Sequence, residues 1–463
     1  MLNKLRERVA HSSPALRSFV GVAAQWLPVS VRYGKDFVRT LADISQSESS
    51  EAWASQTQKE QLRTVLRLAG QTAALRNDER YASLRMSIHD PELVLASLPV
   101  LHKEDFREAP ETFLTMSESA VDKVTTSGSS GEPAVFYLDK QRAASEWAYM
   151  CHAWSASGYR PGDWRAMVRG AHLGGHPPRR WLVSRATNEL MLSAMGLDEA
   201  MAADFWRLIS KKRIRYIHGY PSALSSLATA ALKNGGTHMN QIKGIFPVSE
   251  GMLSHQVDLL ATAFPNASVL PSYGLSERVA MAKYNLSDGC YHFYPLYGYV
   301  EVLDGNDRPV CVGERGRIVA TGLRLQAMPL IRYDTGDTAE LVEVGRSGSP
   351  VVKEILGRRA QEGLVTKNGG IISAAALNLH SEIYARIFVF RIRQFKAGQA
   401  EVLAVPVAGA GPDTVARFAR ELEQNTLGEI QFTGIRVDAL APTPNGKLRL
   451  IDQHMTIDED SIS

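Results

Sequence analysis

The strongest constraint on what this chain can fold into is a change of texture at Val121. From there on, short apolar runs at 124–126, 135–138, 214–217, 245–248 and 269–271 are separated by Gly, Ser and Pro, and helical stretches at 221–232 and 251–264 alternate with them. Runs of that length suit strands, and strands alternating with helices read as crossover units, so the segment predicts an α/β fold with largely parallel sheet. Before Val121 the pattern is mostly helical, with Leu62, Val65, Leu66 and Leu68 at helical spacing. The stretch 45–55, rich in Ser and Glu, is expected to be a surface loop.

A second change comes near Gly298. Strand-like segments at 300–303, 317–321 and 338–344 are joined by turns such as Asp304-Gly305 and Gly313-Glu314, which predicts a β-rich subdomain. After Gly357 the pattern restarts, with strands at 387–392, 401–406 and 434–439 around a helix at 413–424, the content of an α+β domain of about 100 residues. The expected division is 1–100 as a helical part of a large domain, 101–356 as its core, and 357–463 as a small C-terminal domain.

Composition excludes several classes. A chain of 463 residues has room for two or three domains at roughly 150 residues each. Hydrophobic residues at 44% and charged residues at 22% describe a folded, soluble protein, not a disordered or fibrous one. Lys plus Arg number 52 against 49 Asp plus Glu, and a net charge of +3 does not suggest a nucleic-acid partner. Cys151, Cys290 and Cys311 are too scattered for a CxxC zinc site and too few for a disulfide framework, so a reducing, cytoplasmic location is expected. The apolar stretch 19–31 after a basic start is interrupted by Gln25 and Pro28 and falls short of the roughly 20 residues of a membrane span. It reads as an amphipathic helix, packed on the protein or lying on a membrane surface.

One loop stands out chemically. Thr125-Thr126-Ser127-Gly128-Ser129-Ser130-Gly131 offers five hydroxyls and two glycines in seven residues, able to wrap closely and aim N–H and O–H donors at phosphate oxygens. No Gly-Lys-Ser/Thr ends it, so it is not a Walker A loop, and alone it could equally be a flexible surface loop. Further along lie Ser249-Glu250-Gly251, Ser272-Tyr273-Gly274-Leu275-Ser276-Glu277, Ile331-Arg332-Tyr333-Asp334-Thr335-Gly336-Asp337, Gly357-Arg358 and Pro442-Thr443-Pro444-Asn445-Gly446-Lys447-Leu448-Arg449. In order and spacing these motifs resemble those of the adenylate-forming superfamily, which includes acyl-CoA synthetases, luciferase and peptide-synthetase adenylation domains. The segments 98–105 and 328–333 are most similar to the phenylacetate-CoA ligase branch and its CapK-like relatives of capsular polysaccharide biosynthesis. The likeness runs over most of the chain.

That resemblance implies an enzyme that joins a carboxylate to the α-phosphate of ATP, releases pyrophosphate and passes the acyl group to a thiol, most simply coenzyme A. Two anions meet in such a step, so the site must neutralise charge and hold in-line geometry. By the resemblance, Thr126, Ser127, Gly128, Ser129, Ser130 and Gly131 hold the β- and γ-phosphates, with Ser276 also at the nucleotide, and Glu277 holds Mg²⁺ through a hard oxygen. Tyr273 stacks on adenine and Glu250 lines its pocket. Asp337 accepts from the ribose hydroxyls, and Arg358 reaches ribose or phosphate, while Arg332 supports the loop that bears Asp337. Lys447 delivers a compact positive charge where negative charge grows, and Lys447 and Glu277 are the catalytic candidates. His218, Tyr220 and Pro221 line the acid pocket, and 357–463 becomes a mobile lid. In isolation Glu277 could begin a surface helix, Tyr273 pack in the core, Asp337 cap a turn and Lys447 sit in a solvated hairpin.

Two departures from the family pattern matter. Glu132 stands where many relatives have Lys. The stretch Arg359-Ala360-Gln361-Glu362 lacks the Asp pair that usually contains the hinge, although a hinge needs backbone freedom more than one side chain, so Gln361 can serve. Other candidates read as ordinary: His172 and His176 lack a third metal ligand, and Trp147 and Trp154 share a helical face as core residues. Three functions stay open: an acid–thiol ligase, favouring aromatic acids by resemblance; the same adenylation with a carrier-protein thiol or an amine as acceptor; and a catalytically silent nucleotide-binding relative. A homodimer is compatible with the chain, and no membrane span is expected.

Overall fold

The computed structural model describes residues 29–125, 135–140, 142–169, 173, 179–185, 187–194, 197–234, 239–249, 252, 254–357, 363–367, 371–373, 383, 386–426, 428–441 and 450–455. They group into two compact units, Val29–Ala153 with Ser272–Arg358, and Trp154–Pro271 with Arg359–Ser463. Among the described residues no helix is long and apolar enough to cross a membrane.

The Ser- and Glu-rich stretch is not a loop. Helices α1 (Lys35–Ser49) and α2 (Glu51–Ala69) abut at Ser50, the only break between them. Ser50 takes an extended backbone and its hydroxyl accepts the Trp53 N–H at 3.4 Å, so the residue type that suggested a loop serves as an N-cap. Ser47 donates to the Ile44 carbonyl at 2.7 Å and is buried with Ile44, Ala54 and Gln58. Polarity misled because serine can satisfy itself locally on a helix.

Glu48, on α1, accepts from His152 Nε2 at 3.2 Å and from the Lys283 ammonium, while Tyr294 lies 2.8 Å from His152 Nδ1. The His152 hydrogen bond, foremost, holds the Glu48 carboxyl down at about 2 against an ordinary 4.5. A depressed carboxyl stabilises the fold above its unfolded value, and that stability drains away as pH falls from about 4.5 towards 2. Glu48→Gln should therefore flatten the acid limb of the thermal-midpoint profile in that window. An unchanged acid limb would show that the contact carries no stability.

Strands β1 (Val121–Thr125) and β2 (Val135–Asp139) pair antiparallel, Thr125 opposite Val135. The two apolar runs at 124–126 and 135–138 thus form a hairpin, because so short a connection cannot make the crossover that parallel strands need. Asp139 closes it by accepting the N–H groups of Gln326 and Ala327 at 3.1 and 3.3 Å. Helix α3 (Ala143–Trp154) follows.

The expected parallel sheet lies in the other unit. It comprises β3 (Arg165–Arg169), β4 (Trp181–Ser184), β5 (Glu189–Ser193), β6 (Tyr216–Gly219), β7 (Gly244–Pro247) and β8 (Ser268–Val269), in the order β4-β5-β3-β6-β7-β8. All pairs are parallel except the β4 edge. Its crossover helices are α4 (Glu199–Lys211), α5 (Pro221–Lys233) and α6 (Ser254–Ala263). Ala166, Val168, Ile217 and Ile245 share a buried cluster with Phe205, Leu224 and Leu260 of those helices. Trp154 stacks on Phe246 at 4.5 Å, with Tyr159 and Tyr216 around them, so it is the core residue expected. A Cβ on Gly244 would come within 2.6 Å of Ser157 Oγ and 2.8 Å of the Phe246 ring, so this packing requires glycine.

The β-rich subdomain is an antiparallel seven-stranded sheet. Its strands are β9 (Ser272–Gly274), β10 (Met281–Asn285), β11 (Cys290–Phe293), β12 (Gly298–Leu303), β13 (Arg315–Gly322), β14 (Tyr333–Val344) and β15 (Pro350–Leu356), ordered β12-β13-β14-β15-β11-β10-β9. Beyond it β16 (Gly363–Val365) pairs with β17 (Ile371–Ser373). Strands β18 (Ile387–Lys396), β19 (Gln399–Pro406), β20 (Gln431–Arg436) and β21 (Ile451–Gln453) form a sheet ordered β20-β19-β18-β21. Helix α7 (Thr414–Asn425) buries Phe418 and Leu422 with Val402 and Ile392 of that sheet, as the α+β reading requires.

Candidate active site

Two of the motifs meet within one unit. Tyr273 lies mid-strand in β9, opposite Ala282, and the chain then turns through Leu275 to Arg278. That turn leaves Ser276 exposed and Glu277 only 4% exposed. Arg278, at φ 60, ion-pairs with Glu146 at 2.9 Å and anchors the turn. Tyr333 opens β14 and is fully buried, its ring 5.8 Å from Phe106 and 6.4 Å from Phe136.

Each tyrosine donates to the other motif's carboxylate. The Tyr273 O–H reaches Asp337 Oδ2 at 2.7 Å, and the Tyr333 O–H reaches Glu277 Oε1 at 3.2 Å. Burial, reinforced by the Asp337 charge, pushes the Tyr273 phenol well above its ordinary range, so it remains a donor. Thr335 donates to the Ile318 carbonyl at 2.7 Å and accepts the Asp337 N–H at 3.1 Å. Asp334 accepts the N–H of Gly336, which sits at φ 73. The Asp337 carboxylate is thus set by its backbone turn and by Tyr273.

Arg332, expected to support the loop that bears Asp337, immediately precedes β14. Buried at 5% exposure and held at φ 44, it grips Glu301 with Nε at 3.2 Å and Nη2 at 3.1 Å, and donates Nη1 to the Leu98 carbonyl at 2.5 Å. Leu101 pairs with the same strand, its N–H bonding Arg332 O and its carbonyl taking the Asp334 N–H, both at 2.9 Å. The 98–105 segment is therefore a structural partner of the Asp337 loop, a relation that spacing along the chain does not reveal.

The other unit carries the second group. His218 is the penultimate residue of the buried strand β6, Tyr220 is the N-cap of α5 without a side-chain capping bond, and Pro221 takes its first turn. His218 is 7% exposed, and its Nδ1 is buried with no hydrogen-bond partner among the described residues. Burial, then the charges of Arg169 and Arg165, holds the imidazole well below its ordinary value, so it is neutral. Thr126, Ser127, Gly128, Ser129, Ser130, Gly131, Glu250, Arg358 and Lys447 lie outside the described residues, as do Glu132, His172, His176 and Gln361.

No protein-family model matches the chain. It is similar to protein CapK of Staphylococcus aureus, 23% identical over 323 residues that cover 65% of this chain and 68% of that protein. A 2-hydroxyisobutyryl-CoA ligase in its postadenylation state, in complex with R3-HIB-AMP, has a similar structure at TM-score 0.64 and 18% identity, covering 87% of this chain and 89% of that one. The same ligase with 2-HIB-AMP and CoA in its thioesterification state gives a TM-score of 0.53 at 19% identity, covering 87% and 90%. At these identities the structural likeness establishes the fold. With the ordered motifs, it places this chain in the fold of the adenylate-forming superfamily, with its sequence likeness on the CapK-like branch.

Proposed function

We propose that this chain activates an organic carboxylic acid with ATP, forming acyl-AMP and pyrophosphate, and passes the acyl group to a thiol, most simply coenzyme A. The observation that carries the reading is the pair of tyrosine–carboxylate bonds that join the Tyr273 and Tyr333 motifs. They orient two carboxylates, Asp337 and Glu277, for different tasks. Asp337, steered by Tyr273, accepts from the ribose hydroxyls. Glu277 is almost fully buried and spends one oxygen on Tyr333, leaving Oε2 without a protein hydrogen bond among the described residues. Such a carboxylate fits a hard cation, and Mg²⁺ there supplies charge neutralisation for the leaving pyrophosphate. The hairpin loop from Thr126 to Gly131 takes the β- and γ-phosphates, Tyr273, Ser276, Glu250 and Arg358 surround the nucleotide, and His218, Tyr220 and Pro221 line the acid. Residues 357–463 act as the lid that brings Lys447 to the reacting oxygens.

A carrier-protein thiol or an amine is the second reading for the acceptor, left open by the altered hinge at 359–362, which lacks the usual Asp pair. Incubation with ATP, Mg²⁺ and a panel of aromatic and aliphatic acids, with and without coenzyme A, tests both. Acid-dependent pyrophosphate release with thioester formation supports the first, and release without thioester the second. No release with any acid leaves only a silent nucleotide-binding relative.

Tyr273→Phe gives a sharper check. A hydrogen bond to a charged group is worth about 1.5–3 kcal/mol, so freeing Asp337 should raise the KM for ATP by roughly tenfold or more, with a smaller change in kcat. A KM within error of wild type would remove Asp337 from the nucleotide site.

A further inference from the structure

The geometry points to an acid substrate that carries a second oxyanion, a carboxylate or phosphate at its far end, received by Arg169 and His218 beside the start of α5. This rests on the reading of His218, Tyr220 and Pro221 as the acid pocket and names the class of acid it takes.

Strand β3 begins and ends with an arginine, Arg165 and Arg169. Arg165 is neutralised: it ion-pairs with Glu189 and its Nη1 donates to the Tyr159 oxygen at 2.9 Å. Arg169, two strand turns further on the same face, has no carboxylate partner among the described residues. Its guanidinium lies 5.8 Å from the centroid of the Tyr220 ring and the residue is partly buried. A partly buried guanidinium without a counterion is costly, and its planar fork matches carboxylate or phosphate.

Two independent features converge on the same end of the sheet. His218 Nδ1 is buried without a partner, so a ligand atom that bonds it recovers a lost hydrogen bond. Helix α5, 13 residues long, starts at Pro221 with no side-chain cap, leaving the positive end of its dipole directly after β6. Both lie at the carboxyl end of parallel strands, where open α/β sheets bind ligands. In sequence, 169–180 contains Arg169, His172, His176, Arg179 and Arg180 and no Asp or Glu. An apolar acid tail would leave Arg169 without an anion among the described residues, whereas a second oxyanion pairs with it.

The test uses the full chain with ATP and Mg²⁺ and acids matched in size that differ at the far end: hexanoate against adipate, 4-methylbenzoate against benzene-1,4-dicarboxylate, and ω-phosphono acids of the same lengths. Wild type should favour the dianionic member by at least about 10-fold in kcat/KM, as expected for a charge-assisted bidentate pair. Arg169→Gln should bring that ratio to about one, and Arg169→Lys should restore part of it. Whether dicarboxylates or phosphonates are preferred identifies the oxyanion. A second readout needs no turnover: the dianions alone should raise the thermal midpoint of wild type and not of Arg169→Gln. Equal use of both acid types, unchanged in Arg169→Gln, overturns this inference and leaves the adenylation reading standing. Arg169-dependent stabilisation without pyrophosphate release from any acid does the reverse. Absence of both overturns the site.

Discussion

Lys447→Ala should lower acid-dependent pyrophosphate release by roughly 10²–10³-fold or more, the loss typical of removing a preorganised positive or donor group from a developing oxyanion. Nucleotide binding and thermal stability should stay near wild type, because in the proposed site the segment 126–131, Glu277 and Asp337 would hold ATP without it. In sequence Lys447 follows Asn445-Gly446, a pair that favours tight turns, and an ammonium is a compact point charge that a guanidinium fork does not replace. Lys447→Arg should therefore recover little activity. Normal pyrophosphate exchange in Lys447→Ala would remove the lysine from the reaction.

The largest stability effect is expected at Arg332. Removing one partner of a buried ion pair typically costs about 3–5 kcal/mol, because the other charge is left in a low dielectric. Glu301 would be that charge: its side chain is 15% exposed and Arg332 is its bidentate partner. Arg332→Met also drops the bond to the Leu98 carbonyl, loosening the strand that presents Asp337. The double variant Arg332→Met/Glu301→Leu should regain much of the lost stability, since replacing a buried pair by apolar groups is often neutral.

The pH dependence adds a sign. Burial holds the Glu301 carboxyl above its ordinary value even with Arg332 beside it. A raised folded value means that the protonated form is favoured by folding, so this group's contribution is present in acid and is lost as pH rises through the folded value. Without Arg332 the carboxyl rises further, so Arg332→Met should be more damaging at pH 8 than near pH 5. Thermal unfolding of the single and double variants at both pH values decides the matter. Equal losses at the two pH values would mean that Arg332 acts through packing or the Leu98 bond alone.

Much of this was legible in the chain because it is local. Strand-length runs, helix-length periodicity and the turn residues Asp304-Gly305 act over a few residues, so the sheets, crossover helices and the late α+β part could be placed before any contact was known. Locality also explains the failures. Serine at 45–55 has the same polarity whether it faces water or caps a helix, and only the burial of Ile44 and Ala54 on the core decides for helix. The runs at 124–126 and 135–138 look like their neighbours in the parallel sheet, yet the brevity of their connection makes them a hairpin.

For the site, the residue types and their order were in the sequence: a Ser/Thr/Gly loop, Glu277, Asp337 and Lys447 are chemically suited to ATP and are named without coordinates. What tertiary structure decided is which of them hold one another. The Tyr273–Asp337 and Tyr333–Glu277 bonds join residues 64 and 56 positions apart, and the Arg332–Leu98 bond spans 234. That no carboxylate among the described residues pairs with Arg169 is likewise a property of neighbours. Composition and spacing specify which groups exist, whereas pairing, burial and the resulting charge state depend on distances that only the folded chain creates.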